Sequence, residues 1–189
     1  MRLNSRMARR AGGAVIAVCA AIAIPAAAMA ATDGSAAPAA ISRCTVSNLD
    51  IWAGVPGNQG MEQNAIPIEI SDISARPCTL RGLPRALAVT STGRQLGDAA
   101  NTSGDRSRLI TLRYGQTANF SLDITDVTIF PHSSCDQVTA AGLSVYAPGD
   151  SDSQFIPLAI RVCGKYGLQY MTASAVGNGA GVPDLADVG

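Results

Sequence analysis

Only one histidine, His132, and one tryptophan, Trp52, occur in the 189 residues, and aromatic residues make up 4% of the chain. No two cysteines stand at the short spacing of a zinc ligand set, so with a single imidazole a structural zinc site is poorly supplied. The Gly-x-Ser-x-Gly element that presents a hydrolase nucleophile is missing. Positive charge is not in excess either: 14 Lys and Arg face 14 Asp and Glu. A phosphate-seeking surface, and with it a nucleic-acid partner, is therefore not expected. No internal repeat is visible, and no run beyond the N-terminal segment keeps helical spacing.

What is present begins with Arg2, Arg6, Arg9 and Arg10, an apolar run over residues 14–24, and Pro25 ahead of Ala28, Met29 and Ala30. Basic head, apolar middle and small-x-small exit predict a signal peptide over residues 1–30 whose middle is helical, cut after Ala30. Residues 12–31 approach the length of a membrane anchor, but Pro25 and the many alanines make a poor one. Val18 before Cys19 does not suit lipoprotein processing, and Ala11, Gly12 and Gly13 do not suit twin-arginine export. Removing the signal leaves ten basic and fourteen acidic residues, a net charge of −4. Charge of this size favours solubility.

Cys44, Cys78, Cys135 and Cys163 remain in the exported part. Four cysteines in such a chain predict two disulfides with three possible connectivities. Residues 31–42 are small and polar and predict a flexible leader. Residues 172–189, rich in Gly, Ala and Asp, predict a disordered tail. Residues 43–171 are the size of one domain.

Alternation at period two runs through that domain. It places strands at Leu49, Ile51 and Ala53; at Ile66, Ile68 and Ile70; at Leu87 and Val89; and over residues 109–112. Further strands follow at Ala118, Phe120, Leu122 and Ile124, which Val127 and Ile129 extend or follow, then at Leu143, Val145 and Ala147, and at Ile156, Leu158, Ile160 and Val162. Pro67 suggests an edge position or a bulge in the second. Residues 101–105 read as a short helical turn. Seven to eight short strands separated by turn residues argue for an all-β, immunoglobulin-like sandwich, with a small closed barrel as the alternative.

The strand order selects one connectivity. Cys44 precedes the first strand and Cys78 follows the second, so an antiparallel hairpin brings both to one open end. Cys135 and Cys163 bracket the last two strands in the same way. The expected bridges are Cys44 to Cys78 and Cys135 to Cys163, each closing about thirty residues for roughly 3–4 kcal/mol on the chain-entropy relation.

The run Cys78, Thr79, Leu80, Arg81, Gly82, Leu83, Pro84 resembles the Cys-Thr-Leu-x-Gly-aromatic-Pro element of domain-of-unknown-function family 4232, found in secreted and lipid-anchored proteins of actinobacteria. Cys44 with Leu49, the segment 112–116, Cys135 ahead of residues 143–146, and Cys163 with Gly164 resemble the same family's order over about residues 43–170. Leu83 and Tyr114 depart from its pattern. The resemblance implies an immunoglobulin-like fold, extracytoplasmic placement and no established activity, with no catalytic residue to carry over.

Other chemistry is weakly supplied. His132 with Ser133, Ser134 and Asp136 holds the residue types of a hydrolytic triad without its nucleophile turn. Asp150 and Asp152 alternate as in a calcium loop, but with too few oxygen ligands. Met61, Met171 and His132 are copper-like donors that nothing in the sequence brings together. Trp52 is out of phase with Leu49 and Ile51 and is the aromatic to follow toward a partner surface; a bulge that returns it to the core is the other outcome. These readings predict a secreted, non-enzymatic binding module without cofactor, metal or catalytic residue. Its partner would be an unknown protein or a cell-envelope component, and nothing would hold it to the membrane once the signal is cut. A structural envelope component and a small extracellular enzyme are the alternatives.

Overall fold

The strictest alternation in the sequence becomes a strand whose every second residue is buried. Over Thr117–Thr125, Ala118, Phe120, Leu122 and Ile124 point into the core and the residues between them stay half-exposed. The computed structural model describes residues 40–55, 57–58, 63–106 and 108–181, all within one unit that begins at Ala39. The expected signal peptide, the leader up to residue 39, Met61 and the end of the expected tail at 182–189 lie outside the described residues.

The described strands, in chain order, are β1 (Leu49–Ala53), β2 (Gly57–Asn58), β3 (Gln63–Asp72), β4 (Cys78–Arg81), β5 (Arg85–Val89), β6 (Gln95–Leu96) and β7 (Asn101–Ser103). They continue with β8 (Leu109–Leu112), β9 (Thr117–Thr125), β10 (Gln137–Tyr146), β11 (Gln154–Cys163), β12 (Met171–Ser174) and β13 (Gly177–Asn178). One short helix, α1 (His132–Cys135), precedes β10. The fold is all-β.

The larger sheet runs β1-β3-β9-β12-β7, with β2 beside β3 and β13 beside β9. A second sheet runs β11-β10-β5-β6, and β4 pairs with β8. Every neighbouring pair is antiparallel except β12 with β7. A single hydrophobic cluster draws on all three: Ile51, Ile68 and Phe120 from the first sheet, Leu143, Val145 and Val162 from the second, and Leu80 and Ile110 from the third pair. Each such side chain taken from water stabilises the fold by roughly 1.5–3 kcal/mol. That common core binds the layers together.

Four local expectations are corrected. Pro67 is not on an edge, because β3 lies between β1 and β9. Its carbonyl accepts the Gly54 N–H at 2.7 Å, so its missing N–H faces the same side, where β1 has ended and β2 has not begun. The register shifts by one residue there, Ala53 lying opposite Ile68 but Gly57 opposite Ala65, so the bulge half of the expectation holds, and a proline is tolerated at such a break. Residues 127–129 form a 3-10 turn rather than strand. Residues 101–103 form β7, added parallel to β12 at the edge of the larger sheet. The expected tail from 172 is not loose at its start: β12 pairs with β9, Ala173 is fully buried, and β13 continues along β9. Small residues in that stretch read as flexible in sequence, whereas here they fit a strand packed closely on its neighbours.

Candidate functional site

Strand β9 stops at Thr125 because the next residue caps a turn. The Asp126 carboxylate accepts the Thr128 N–H at 2.9 Å and opens the 3-10 turn Val127–Ile129, which sends Val127 into the core. Alongside runs β11, the outer strand of its sheet, paired with β10 alone. Its register shifts opposite residues 140–142, so that Leu158 and Ala159 face the single residue Ala141. Such a bulge bends the strand and re-aims its side chains.

Between this part of β11, the start of β3 and the end of β9 opens a cleft of about 410 Å³. The half-buried Ile160 and the polar Asn64, Thr125, Asp126 and Arg161 line it, above a floor of Ile66, Ile124 and Val127 that are themselves buried in the core. A concavity of this size with a few convergent polar groups is the form ligand sites usually take. The Thr128 backbone N–H, then the Thr128 hydroxyl, hold the Asp126 carboxyl below the usual carboxylate range; the Arg161 charge adds to them and partial desolvation opposes. Among the described residues the Arg161 guanidinium donates no hydrogen bond. It is exposed and retains its donors.

The cysteines form two bonds, Cys44 to Cys78 with Cα atoms 4.9 Å apart and Cys135 to Cys163 with Cα atoms 4.6 Å apart. All four are buried. Each bond lies at the open end of an antiparallel pair, Leu49 opposite Asp72 in one and Gln137 opposite Cys163 in the other. This is the geometry from which the pairing was inferred.

The remaining sequence candidates do not converge. His132 opens α1 in an exposed position. The Ser134 hydroxyl donates to the Pro131 carbonyl at 3.0 Å, and the Lys165 ammonium donates to the Ser133 carbonyl at 2.9 Å. Asp150 uses both oxygens: one accepts the N–H of Val46, 104 positions away, at 2.7 Å and the other the Asp152 N–H at 3.1 Å. These bonds hold its carboxyl below the usual range, the Val46 one foremost. Met171 is buried and His132 exposed. Among the described residues no three His, Cys, Asp or Glu side chains are placed to hold a metal ion.

Trp52 is 39% exposed on the outer face of β1. Directly across from it lies Glu69, which is buried. One Glu69 oxygen accepts the Gly181 N–H at 2.8 Å, and the other has no partner among the described residues. Burial raises this carboxyl above the usual range, against the lowering effect of the Gly181 bond. Phe155 is half-exposed, with its ring over Gly142: a Cβ at Gly142 would come within 2.6 Å of it. Tyr146 stacks under the Arg85 guanidinium at 3.8 Å, Tyr170 is buried, and Tyr114 and Tyr166 are exposed.

The sequence pattern did not single out the cleft. Its apolar wall reads as ordinary strand core, and Asp126 and Arg161 are thirty-five positions apart with no motif between them. Asp126 followed by Thr128, the pattern of a side-chain cap, was the one local signal available.

The model of the family described as Domain of unknown function (DUF4232) matches residues 44–178, and the chain belongs to that family. No curated protein matches the chain. No solved structure matches it either.

Proposed function

We propose that this family member is an extracytoplasmic, immunoglobulin-like β-sandwich that works by binding, not by catalysis, and takes its partner in the cleft between β3, β9 and β11. The observation that carries the reading is the cleft itself, in which Ile160, an exposed Arg161 and a capped Asp126 carboxylate meet at the edge of the core. Its ionisable groups do not include a nucleophile with an adjacent base, the pairing that covalent catalysis uses. Two layers sharing one core support the sandwich assignment. Two disulfides and the basic, apolar, small-residue order of residues 1–30 support export. No helix among the described residues is long and apolar enough to cross a membrane.

Titration of the oxidised, isotopically labelled chain with a library of small apolar and acidic fragments tests the site. Amide shifts gathered on Ile66, Ile124, Val127 and Ile160 are expected. Shifts confined to other faces would sink the assignment. Fractionation of expressing cells, with the protein found in the medium or wall and not in the cytoplasm, tests the export half separately.

A further inference from the structure

We infer that the outer face of the ribbon made by β4 and β8 binds a phosphodiester-linked polyol chain of the cell envelope. Arg43, Arg81 and Arg113 take successive phosphates, and a polar cavity beside Thr111 takes a hydroxylated repeat. This surface shares no residue with the cleft and stands independently of it.

The balance of charge over the whole chain hides a local excess. Residues 76–113 hold seven arginines and two acids, a net charge of +5, whereas the rest of the chain beyond residue 30 holds three basic and twelve acidic residues, a net charge of −9. A polyanion is repelled by most of the molecule and steered to the part that carries this segment.

The ribbon puts the charge in line. Cys78, Leu80, Ile110 and Leu112 are buried, which turns Thr79, Arg81, Leu109 and Thr111 outward. Arg81 lies opposite Leu109 and Thr79 opposite Thr111, and Arg43 joins the second of these rows through a parallel bridge to Thr79. Arg113 follows two residues past Thr111 and is exposed. Successive rows are two residues, about 6.6 Å, apart. Three rows thus offer one guanidinium each, a spacing that suits an extended chain with one charge per repeat. Among the described residues the Arg81 and Arg113 guanidinium groups have no partner, and Arg43 gives one donor to the Gly149 carbonyl at 3.3 Å. Residues 41–48, 76–81 and 108–113 contain no acid. Counting Asp150, the neighbour of Gly149, against Arg43 still leaves two uncompensated charges on the ribbon. Guanidinium forks of this kind match phosphate oxygens.

What lies beside the arginines selects the polymer. A cavity of about 340 Å³ is lined by Thr111, Leu112, Gln116, Thr117, Asn178 and Gly179. The Thr117 hydroxyl is bonded to that of Ser71, but the Thr111 hydroxyl, the Gln116 Nε2 and the Asn178 side chain have no partner among the described residues. Neutral donors and acceptors of this sort suit hydroxyl groups. A nucleic-acid strand needs aromatic faces on which successive bases stack, and the ribbon face carries none. An anionic bilayer needs an apolar face to enter it, and Leu109 stands alone among arginines and threonines.

The test titrates a synthetic poly(glycerol phosphate) oligomer into the oxidised chain over a range of salt. Three neutralised phosphates predict that log affinity falls against log salt with a slope of about −2. Arg81→Gln and Arg113→Gln should each weaken binding about three- to fivefold and bring the slope about 0.7 nearer zero. Arg94→Gln, the same loss of charge in the turn between β5 and β6, should change neither, and an unchanged Tm shows that each variant keeps its fold. Asn178→Ala should weaken the glycerol polymer about threefold and leave inorganic polyphosphate as it was. A slope that survives both ribbon changes, or an Arg94→Gln effect as large as theirs, would overturn the inference. So would oligothymidylate or phosphatidylglycerol vesicles that bind as tightly at equal phosphate, and so would an absence of binding at low salt. None of these outcomes bears on the cleft, which the fragment titration reads separately.

Discussion

Replacing Cys135 and Cys163 together by alanine removes a cross-link whose worth can be worked out from the chain. The two residues are 28 apart in sequence, and the relation between loop size and closure entropy gives about 3.6 kcal/mol at 25 °C. For Cys44 and Cys78, 34 apart, the same relation gives about 3.8 kcal/mol. Both pairs are buried in the core cluster, so truncating the sulfurs adds roughly 1–2 kcal/mol of lost packing in either case. Each double variant should therefore lose about 5 kcal/mol, a large share of the 5–15 kcal/mol that holds a domain folded. For a unit of this size each kcal/mol moves Tm by roughly 3 °C, so a fall of about 15 °C is expected. Urea denaturation without reductant, followed by circular dichroism, measures the loss. The slope against urea should also rise, because an unlinked unfolded chain exposes more surface. A loss under about 1 kcal/mol, or costs differing between the two bridges by more than about 2 kcal/mol, would refute the argument that loop closure dominates.

Three further outcomes follow from particular contacts. Gly142→Ala should cost about 1–3 kcal/mol by overpacking, since the new methyl meets the Phe155 ring and the Ile156 carbonyl oxygen; Phe155→Ala in the same chain should return part of that cost, and strict additivity in a double-mutant cycle would disprove the ring contact. Glu69 has its carboxyl raised by burial, so its contribution is fully present below the unfolded glutamate pKa and is lost as pH rises through the folded one. Glu69→Gln should accordingly be the more stable form at pH 7, with the gap closing toward pH 4; a gap that widens on acidification would contradict this. Burial pushes the Tyr170 hydroxyl up to about 12, with the Cys163 backbone N–H opposing and Asp98 adding. Alkaline titration should destabilise the fold between about pH 10 and 12, and Tyr170→Phe should flatten that part of the stability profile.

How much was legible is best seen strand by strand. Alternation survives into sequence wherever one face of a strand meets the core and the other meets water, and β9, β1 and β10 all do so. β12 is hidden in the sequence because Ala173 is small and the neighbouring Thr172 and Ser174 are only half-buried. A packing partner, not hydropathy, makes them a strand. β7 has three exposed residues and exists only because β12 lies beside it. Pro67 marked a register break and not an edge, since which neighbour its missing donor would face is invisible before the pairing is known.

The amino-acid order alone determined the all-β class and the two sulfur pairs, because period-two burial and the bracketing of hairpins are local properties carried by near neighbours. Only the tertiary structure decided that Asp126 and Arg161 flank one cavity and that a buried Glu69 meets the backbone of Gly181. Those arrangements join residues up to 112 positions apart, and distance across a sheet is set by register and layer packing, which no run of consecutive residues records.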